Sequence, residues 1–195
     1  MIVLDIETSG FSPIENGIVS IGAINTETDE EFYEECRLDD GDEIEEEAMK
    51  VNGFSEKEMR NENKQTQKQL IEKFFAWLEN QENKVIAGHN VGFFDLNFLK
   101  MKAEKYKINF KTRYRSLDLC SIAQARYFQL NGKFLLDDYK ENGMNLPKVL
   151  EMCGIKDERI QLKDGKIVKE GKPHNALEDC KLEALCFKKL LGELK

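Results

Sequence analysis

The sequence predicts an α/β fold, a mixed β-sheet flanked by helices. Three features carry that prediction: strand-like segments crowd the first 38 residues, strands then alternate with helical patterns, and no repeat or Gly/Ser/Pro-rich linker interrupts the 195 residues. The whole chain, 1–195, therefore reads as one domain, long enough to bury its own core.

The elements follow in order. Residues 2–6 alternate and are rich in β-branched side chains, so a first strand starts almost at the first residue and stops at Ser9-Gly10. Residues 17–24 are apolar at both parities, as a strand covered on both faces should be. Residues 31–38 are more polar and suit a strand nearer the sheet edge, and the acidic run 39–47 suits a solvated loop or helix start. Between Gln67 and Glu79, Leu70, Ile71, Phe74, Phe75 and Leu78 recur at helical spacing, which puts the Phe74/Phe75/Trp77 cluster in the core. Residues 85–88 form a short buried strand, and a helix follows from about Phe93 to Tyr106. Residues 116–119 read as another strand end, succeeded by a helix through Phe128. Asn145 is the expected N-cap of a short helix with Pro147 in its first turn. Asp164-Gly165, between Ile160/Leu162 and Ile167/Val168, predicts a hairpin. Asn175-Ala-Leu-Glu178 has the pattern of a capping box opening the last helix, whose apolar positions include Leu177, Cys180, Ala184, Leu185 and Leu191.

Composition narrows the function classes. No apolar run approaches the roughly 18 residues of a membrane span. The first segment carries two acids and no basic region, unlike a signal peptide. Five cysteines (Cys36, Cys120, Cys153, Cys180, Cys186) form no CxxC pair and suit reduced, buried thiols in a cytoplasmic protein. Two histidines are too few for an ordinary Cys/His zinc site. The net charge of −8 divides unevenly: residues 1–63 hold 19 acids and 4 bases, residues 64–195 hold 18 acids and 25 bases. A polyanion partner stays compatible with the acidic total, because affinity depends on where the bases lie.

Asp5 and Glu7 stand two apart on a strand, so both leave the same face. Two carboxylates on one face of an otherwise apolar strand are costly unless something neutralises them, and a divalent cation is the simplest candidate. The spacing alone carries little, since Asp29/Glu31 repeats it in an acidic surface stretch. Asp95 ends Gly88-His-Asn-Val-Gly-Phe-Phe-Asp95, a strand-turn-helix junction, where a ligand acid and a helix-dipole acid are both reasonable. His174 and Asp179, five apart, would diverge by about 140° on one helix. With Asn175 as N-cap, His174 instead lies just outside the helix on flexible backbone and Asp179 projects from its first full turn, which suits a mobile general base beside a fixed metal ligand; a surface His beside a capping box is the alternative.

The ordered set Asp5-x-Glu7, Asp95, His174-x4-Asp179 resembles the DEDDh 3′–5′ exonucleases, together with Val3-Leu-Asp-Ile-Glu-Thr-Ser-Gly10, Ile18-Val-Ser-Ile-Gly22, His89-Asn-Val-Gly-Phe-Phe-Asp95 and His174-Asn-Ala-Leu-Glu-Asp179. The first segment is similar to that of the proofreading epsilon subunit of DNA polymerase III and its stand-alone relatives. The likeness spans about residues 1–190. It implies a ribonuclease-H-like fold, two Mg²⁺ or Mn²⁺ ions, and release of nucleoside 5′-monophosphates from a 3′ end. By the same resemblance Asp5 bridges both ions, Glu7 and Asp179 complete the site of the water-activating ion, Asp95 supports the second ion through water, and His174 takes the water's proton. Hard carboxylate oxygens suit these cations better than zinc.

Substrate contacts are expected from Thr8, Ser9, Gly10 and Phe11, and from His89, Asn90 and Phe94 in the second motif, although His89 equally suits a role in holding its turn. Asp118 reads as a structural acid. Two basic stretches are candidates for holding the strand: residues 100–115, seven bases to one acid with Tyr106, Phe110 and Tyr114 interleaved, and residues 156–172, six bases to four acids. The chain departs from the family's pattern at Ser20, at Asn52-Gly53-Phe54 and in a longer segment between Ile155 and His174. The implied partner is a single-stranded 3′ end, DNA before RNA, with the chain acting alone or joining a DNA polymerase in trans. Competing readings are an RNA-trimming or oligoribonucleotide-degrading enzyme of the same fold and a non-catalytic nucleic-acid-binding or polymerase-docking module.

Overall fold

Strand β1 (Ile2–Thr8) runs up the middle of a five-stranded sheet in the computed structural model, which describes residues 1–110 and 115–192. Its antiparallel neighbour is β2 (Ile18–Asn25), itself paired to the edge strand β3 (Glu31–Glu35). On its other side β1 pairs in parallel with β4 (Ile86–Gly88), and β4 with β5 (Leu117–Asp118). The order β3-β2-β1-β4-β5 with mixed direction is the expected ribonuclease-H-like sheet. β3 is shorter than residues 31–38: Cys36 N still donates to Val19 O, but Arg37 leaves β2 and bridges to Thr66.

Helices α3 (Gln67–Glu79) and α4 (Asp95–Tyr106) cover one face; α5 (Leu119–Asn131), α6 (Leu146–Met152) and α7 (Ala176–Gly192) cover the other. The pleat of β1 sorts its side chains between them. Ile2, Leu4 and Ile6 pack with Leu70, Phe74 and Leu99, whereas Val3 packs with Leu119, Cys180 and Phe187. Asp5 and Glu7 share the parity of Val3, so the pleat directs both acids to the α7 side.

Gly22 lets α7 approach. A Cβ there would collide with the backbone of Ala176 and Leu177, and Cys180 Sγ donates to the Gly22 carbonyl at 3.2 Å. Asn175 caps α7 by accepting from Leu177 N and Glu178 N. The buried face of α7 is Ala176, Asp179, Cys180, Glu183, Cys186, Phe187 and Leu190. That corrects the sequence reading, since Leu185 and Leu191 are exposed: two acids sit in the buried stripe and rotate it away from the leucines.

Two short helices, α1 (Glu46–Asn52) and α2 (Glu56–Met59), follow the acidic run. The predicted hairpin forms as β6 (Gln161–Lys163) and β7 (Lys166–Lys169), separate from the main sheet. The uneven charge is partly resolved internally. Lys102 is buried against Asp42 at 3.1 Å, and the partly exposed Lys105 pairs with Asp39 and Asp42, so these two bases of the 100–115 stretch are engaged within the chain; residues 111–114 of that stretch lie outside the described residues. No helix among the described residues is long and apolar enough to cross a membrane.

Candidate active site

The acids meet where the sheet splits. β1 pairs with β4 only through Ile2 and Val3, so the Ile6 N–H lies beyond the last paired residue of β4. Asp95, the first residue of α4, accepts that N–H at 3.0 Å, which ties the helix start to β1 beside Asp5 and Glu7. Asp179 comes from the first turn of α7, and Glu183 lies one turn on, on the same buried face. The sequence reading missed Glu183, although its spacing from Asp179 in a capped helix was a usable signal. Its carboxylate accepts from His89 N at 3.1 Å.

These carboxyls repel one another in a desolvated place. Burial, then Asp95, Asp179 and Glu7, hold the Asp5 pKa well above the ordinary carboxylate range. Burial, then Asp179 and Asp95, raise Glu7, while Arg159 lowers it. Asp95 is pushed up to about 7, chiefly by burial, against the lowering effect of its backbone hydrogen bonds. Burial, Asp95 and Asp179 raise Glu183. Four groups displaced in the same direction mark a site short of positive charge.

A cation fits that shortage. Asp179 Oδ1 is buried with no hydrogen-bond partner, an oxygen left bare in a polar cluster. One ligand atom each from Glu7, His174 and Asp179 lies within 4.8 Å of the others, and Asp5 lines the same cleft. The donor set is mainly carboxylate oxygen, the chemistry of Mg²⁺ or Mn²⁺.

His174 is held more firmly than expected from a residue just outside a helix. Its N–H donates to Val51 O at 2.9 Å, Nε2 lies 2.9 Å from Ile160 O, and Nδ1 lies 3.2 Å from Asp179 Oδ2. Because a carbonyl can only accept, the neutral ring carries its proton on Nε2 and presents Nδ1 to the acids.

The cleft, about 170 Å³, runs from the acids past Thr8, Gly10 and Phe11 to Ala48, Val51 and Asn52 of α1, with Phe94 and His174 on its walls. Phe11 is 61% exposed, an aromatic face open to a ligand. The other expected contacts are placed differently. Ser9 is fully buried, its hydroxyl donating to Glu43 O and accepting from Gly17 N, so it braces the turn. The Thr8 hydroxyl donates to Gly10 O. The His89 ring contacts Met144 O at 3.0 Å and burial lowers its pKa, which leaves it a support of the turn. Asn90 is exposed in that turn at φ 62°, its N–H given to Asp118, which also accepts from Cys120 N and Ser121 Oγ as the cap of α5. Asn52 Nδ2 donates to Thr8 O, joining α1 to β1.

Sequence reasoning also missed Arg159. It is 6% exposed, donates from Nη1 to Asp179 Oδ2 at 2.9 Å, and is gripped from behind by Asp157.

A family model described as an exonuclease, RNase_T, matches residues 2–187. No curated protein sequence matches the chain. Among solved structures, E. coli exonuclease I in complex with a dT13 oligonucleotide has a TM-score of 0.72 at 17% identity, covering 99% of this chain and 42% of that one. Cell-death related nuclease 4 has a TM-score of 0.70 at 14% identity, covering 98% and 63%. A 3′-exonuclease described as recognising the histone mRNA stem-loop has 0.65 at 16%, covering 98% and 81%. The chain thus spans about two fifths of exonuclease I, and at these identities the likeness is one of fold.

Proposed function

The chain belongs to the RNase_T exonuclease family, of the DEDDh type, and from that premise we propose that it removes nucleotides from the 3′ end of single-stranded DNA as nucleoside 5′-monophosphates. The observation that carries this reading is the cluster of Asp5, Glu7 and Asp179 lining the cleft with Asp95 bonded to β1 beside them, and Asp179 Oδ1 buried and unpartnered.

Asp5, Glu7 and Asp179 would hold one divalent cation, and Asp5 with Asp95 a second, Mg²⁺ or Mn²⁺. Such a pair, when bound, activates water and stabilises the leaving oxygen. Residues of the chain do the rest. Phe11 and Phe94 offer aromatic faces to the terminal base, with Ala48 and Val51 across the cleft. Gly10 lets the turn after β1 pack tightly on Glu45 and Asn16, which a Cβ there would strike, and so shapes the cleft beside the acids. His174 accepts the water's proton at Nδ1; the new N–H then points at Asp179 Oδ2, 3.2 Å away, which stabilises the imidazolium.

The reading carries a single-domain, cytoplasmic protein with reduced thiols, acting alone or with a polymerase in trans; the five cysteines are buried and none is disulfide-bonded. An RNA 3′ end is the second substrate reading, favoured by the likeness to a 3′-exonuclease described as recognising histone mRNA. A time course on 3′- and 5′-labelled single-stranded DNA, duplex DNA and short RNA, with Mg²⁺, Mn²⁺ or EDTA, tests it. Mononucleotide released first from the 3′ label on DNA, and suppressed by EDTA, is expected. Release from the 5′ label, or EDTA-resistant cleavage, overturns the proposal.

A further inference from the structure

Between Ile155 and His174 the chain carries a long segment whose two ends meet over the site. Ile160 N donates to Lys172 O and Lys172 N to Glu158 O, both within 2.9 Å, so residues 158–160 lie side by side with the residues that lead into His174. From this short ladder two groups enter the acid cluster. The Ile160 carbonyl takes the His174 Nε2 proton, and the adjacent Arg159 reaches Asp179 Oδ2.

We propose that Arg159 is a positioning residue of the hydrolytic centre, fixing Asp179 so that Oδ1 is presented bare to a cation while Oδ2 is shared with His174. The inference rests on the reading of Asp179 as a metal ligand. Arg159 is itself fixed: Nε donates to Asp157 Oδ1 at 3.0 Å and Nη2 to Asp157 Oδ2 at 3.2 Å, a two-point grip that only a planar guanidinium can form. Asp157 Oδ1 also accepts the Arg159 backbone N–H at 3.0 Å, so acid and base are locked in one local turn. The remaining edge of the fork, Nη1, is aimed at Asp179. Asp179 Oδ2 therefore faces Arg159 and His174 while Oδ1 has no hydrogen-bond partner, although both belong to one carboxylate. A freely turning carboxylate would not keep that asymmetry. The same contact sets Oδ2 to accept a hydrogen bond from the Nδ1–H that His174 gains, so one guanidinium orients both a cation ligand and the partner of the base.

A positive charge beside a cation site has a second, opposing effect, because charge alone would weaken cation binding. The two roles predict opposite signs, which makes the experiment decisive. Mn²⁺ binding to the full chain without substrate is measured by titration calorimetry for wild type, Arg159→Gln, Arg159→Lys, Asp157→Asn and Asp179→Asn, with melting curves as the check on folding. Arg159→Gln is expected to weaken Mn²⁺ binding by about 10–100-fold, the usual effect of losing a group that orients a metal ligand. Arg159→Lys, which keeps the charge and loses the fork, is expected to fall nearly as far, and Asp157→Asn to fall part of the way. Turnover should drop in kcat more than in KM at saturating Mn²⁺. Tighter Mn²⁺ binding by Arg159→Gln, or wild-type binding by Arg159→Lys, overturns the positioning role. If Asp179→Asn binds Mn²⁺ as wild type does, the ligand reading fails instead, and the two failures are told apart. Should Arg159→Gln not fold, Arg159→Lys and Asp157→Asn decide the matter.

Discussion

His174 Nδ1 lies 3.2 Å from Asp179 Oδ2, while the opposite ring nitrogen is held 2.9 Å from the Ile160 carbonyl. The ring is thus oriented from outside the acid cluster, and its Nδ1 faces inward toward Asp179. His174→Ala is expected to keep Mn²⁺ binding and lose about 10²–10⁴ in turnover, the share of a positioned base. Single-turnover cleavage beside a Mn²⁺ titration checks both halves. Normal cleavage, or loss of the metal, would assign His174 another task.

Asp5 stands among Glu7, Asp95 and Asp179, all of which raise its pKa by repulsion. Removing its charge relieves that repulsion in the metal-free protein and, on the proposed reading, deletes a carboxylate that would serve both ions. Asp5→Asn is expected to abolish hydrolysis while the metal-free melting temperature holds or rises. Wild-type protein should melt higher with Mn²⁺, because the ions bind the folded site, and Asp5→Asn should lose most of that gain. A variant with wild-type turnover would sink the metal assignment.

The raised carboxyls also set the pH dependence of stability. Asp95 sits at about 7 in the folded protein, and Asp5, Glu7 and Glu183 are likewise raised. A carboxyl with a folded pKa above its unfolded value binds more protons when folded, so the stability it contributes is complete below the unfolded pKa and is lost as pH rises through the folded one. For Asp95 that window runs from about pH 4 to about pH 7. In EDTA, wild type is expected to lose stability relative to Asp5→Asn across this window, and Mn²⁺ to restore more at its upper end. Melting curves at matched ionic strength from pH 4.5 to 8 measure both differences (about half-unit steps suffice). A gap between the two proteins that does not change with pH refutes the account.

How far the sequence spoke depended on whether a residue's partner lay nearby in the chain. The helix Gln67–Glu79 was legible because its apolar spacing is a local signal, and the structure adds a Thr66/Gln69 capping box at its start. The acids of β1 were legible because strand parity is local. Ser55-x-x-Glu58 was an equally local capping box, and α2 was still missed, because four residues give no periodicity to confirm it. Arg159 was illegible for a different reason: its partner Asp179 is 20 residues away, and nothing near Arg159 in the chain separates it from the surface lysines around it. The same blindness hid the place of Lys102 in the basic stretch 100–115, where it is buried against Asp42 across 60 residues.

The hairpin lysines are the second set of candidates for holding the strand upstream of the cleaved nucleotide, and the structure separates them. Lys163 pairs with Asp138 at 2.6 Å, Lys172 with Glu158 at 2.9 Å, and Lys169 donates to the Asp157 carbonyl. Lys169 and Lys172 thereby support the segment that carries Arg159, so neutralising them mixes structural loss with loss of charge. Lys166 is exposed beside the turn, and a Cβ on neighbouring Gly165 would strike Glu47 of α1, the helix that lines the cleft. It is the base best placed to report on phosphate contact alone. Lys166→Gln is expected to leave the melting temperature unchanged and weaken binding of a single strand. The slope of log affinity against log salt should flatten by about 0.7, the value for one phosphate contact on a single strand. Turnover should fall on long strands and hold on dinucleotides, which are too short to reach the hairpin. Binding and turnover measured over a salt series on both substrates give the answer: equal loss on the two lengths, or none on either, makes the hairpin a solvated ribbon whose one link to the chemistry is through Arg159 and His174.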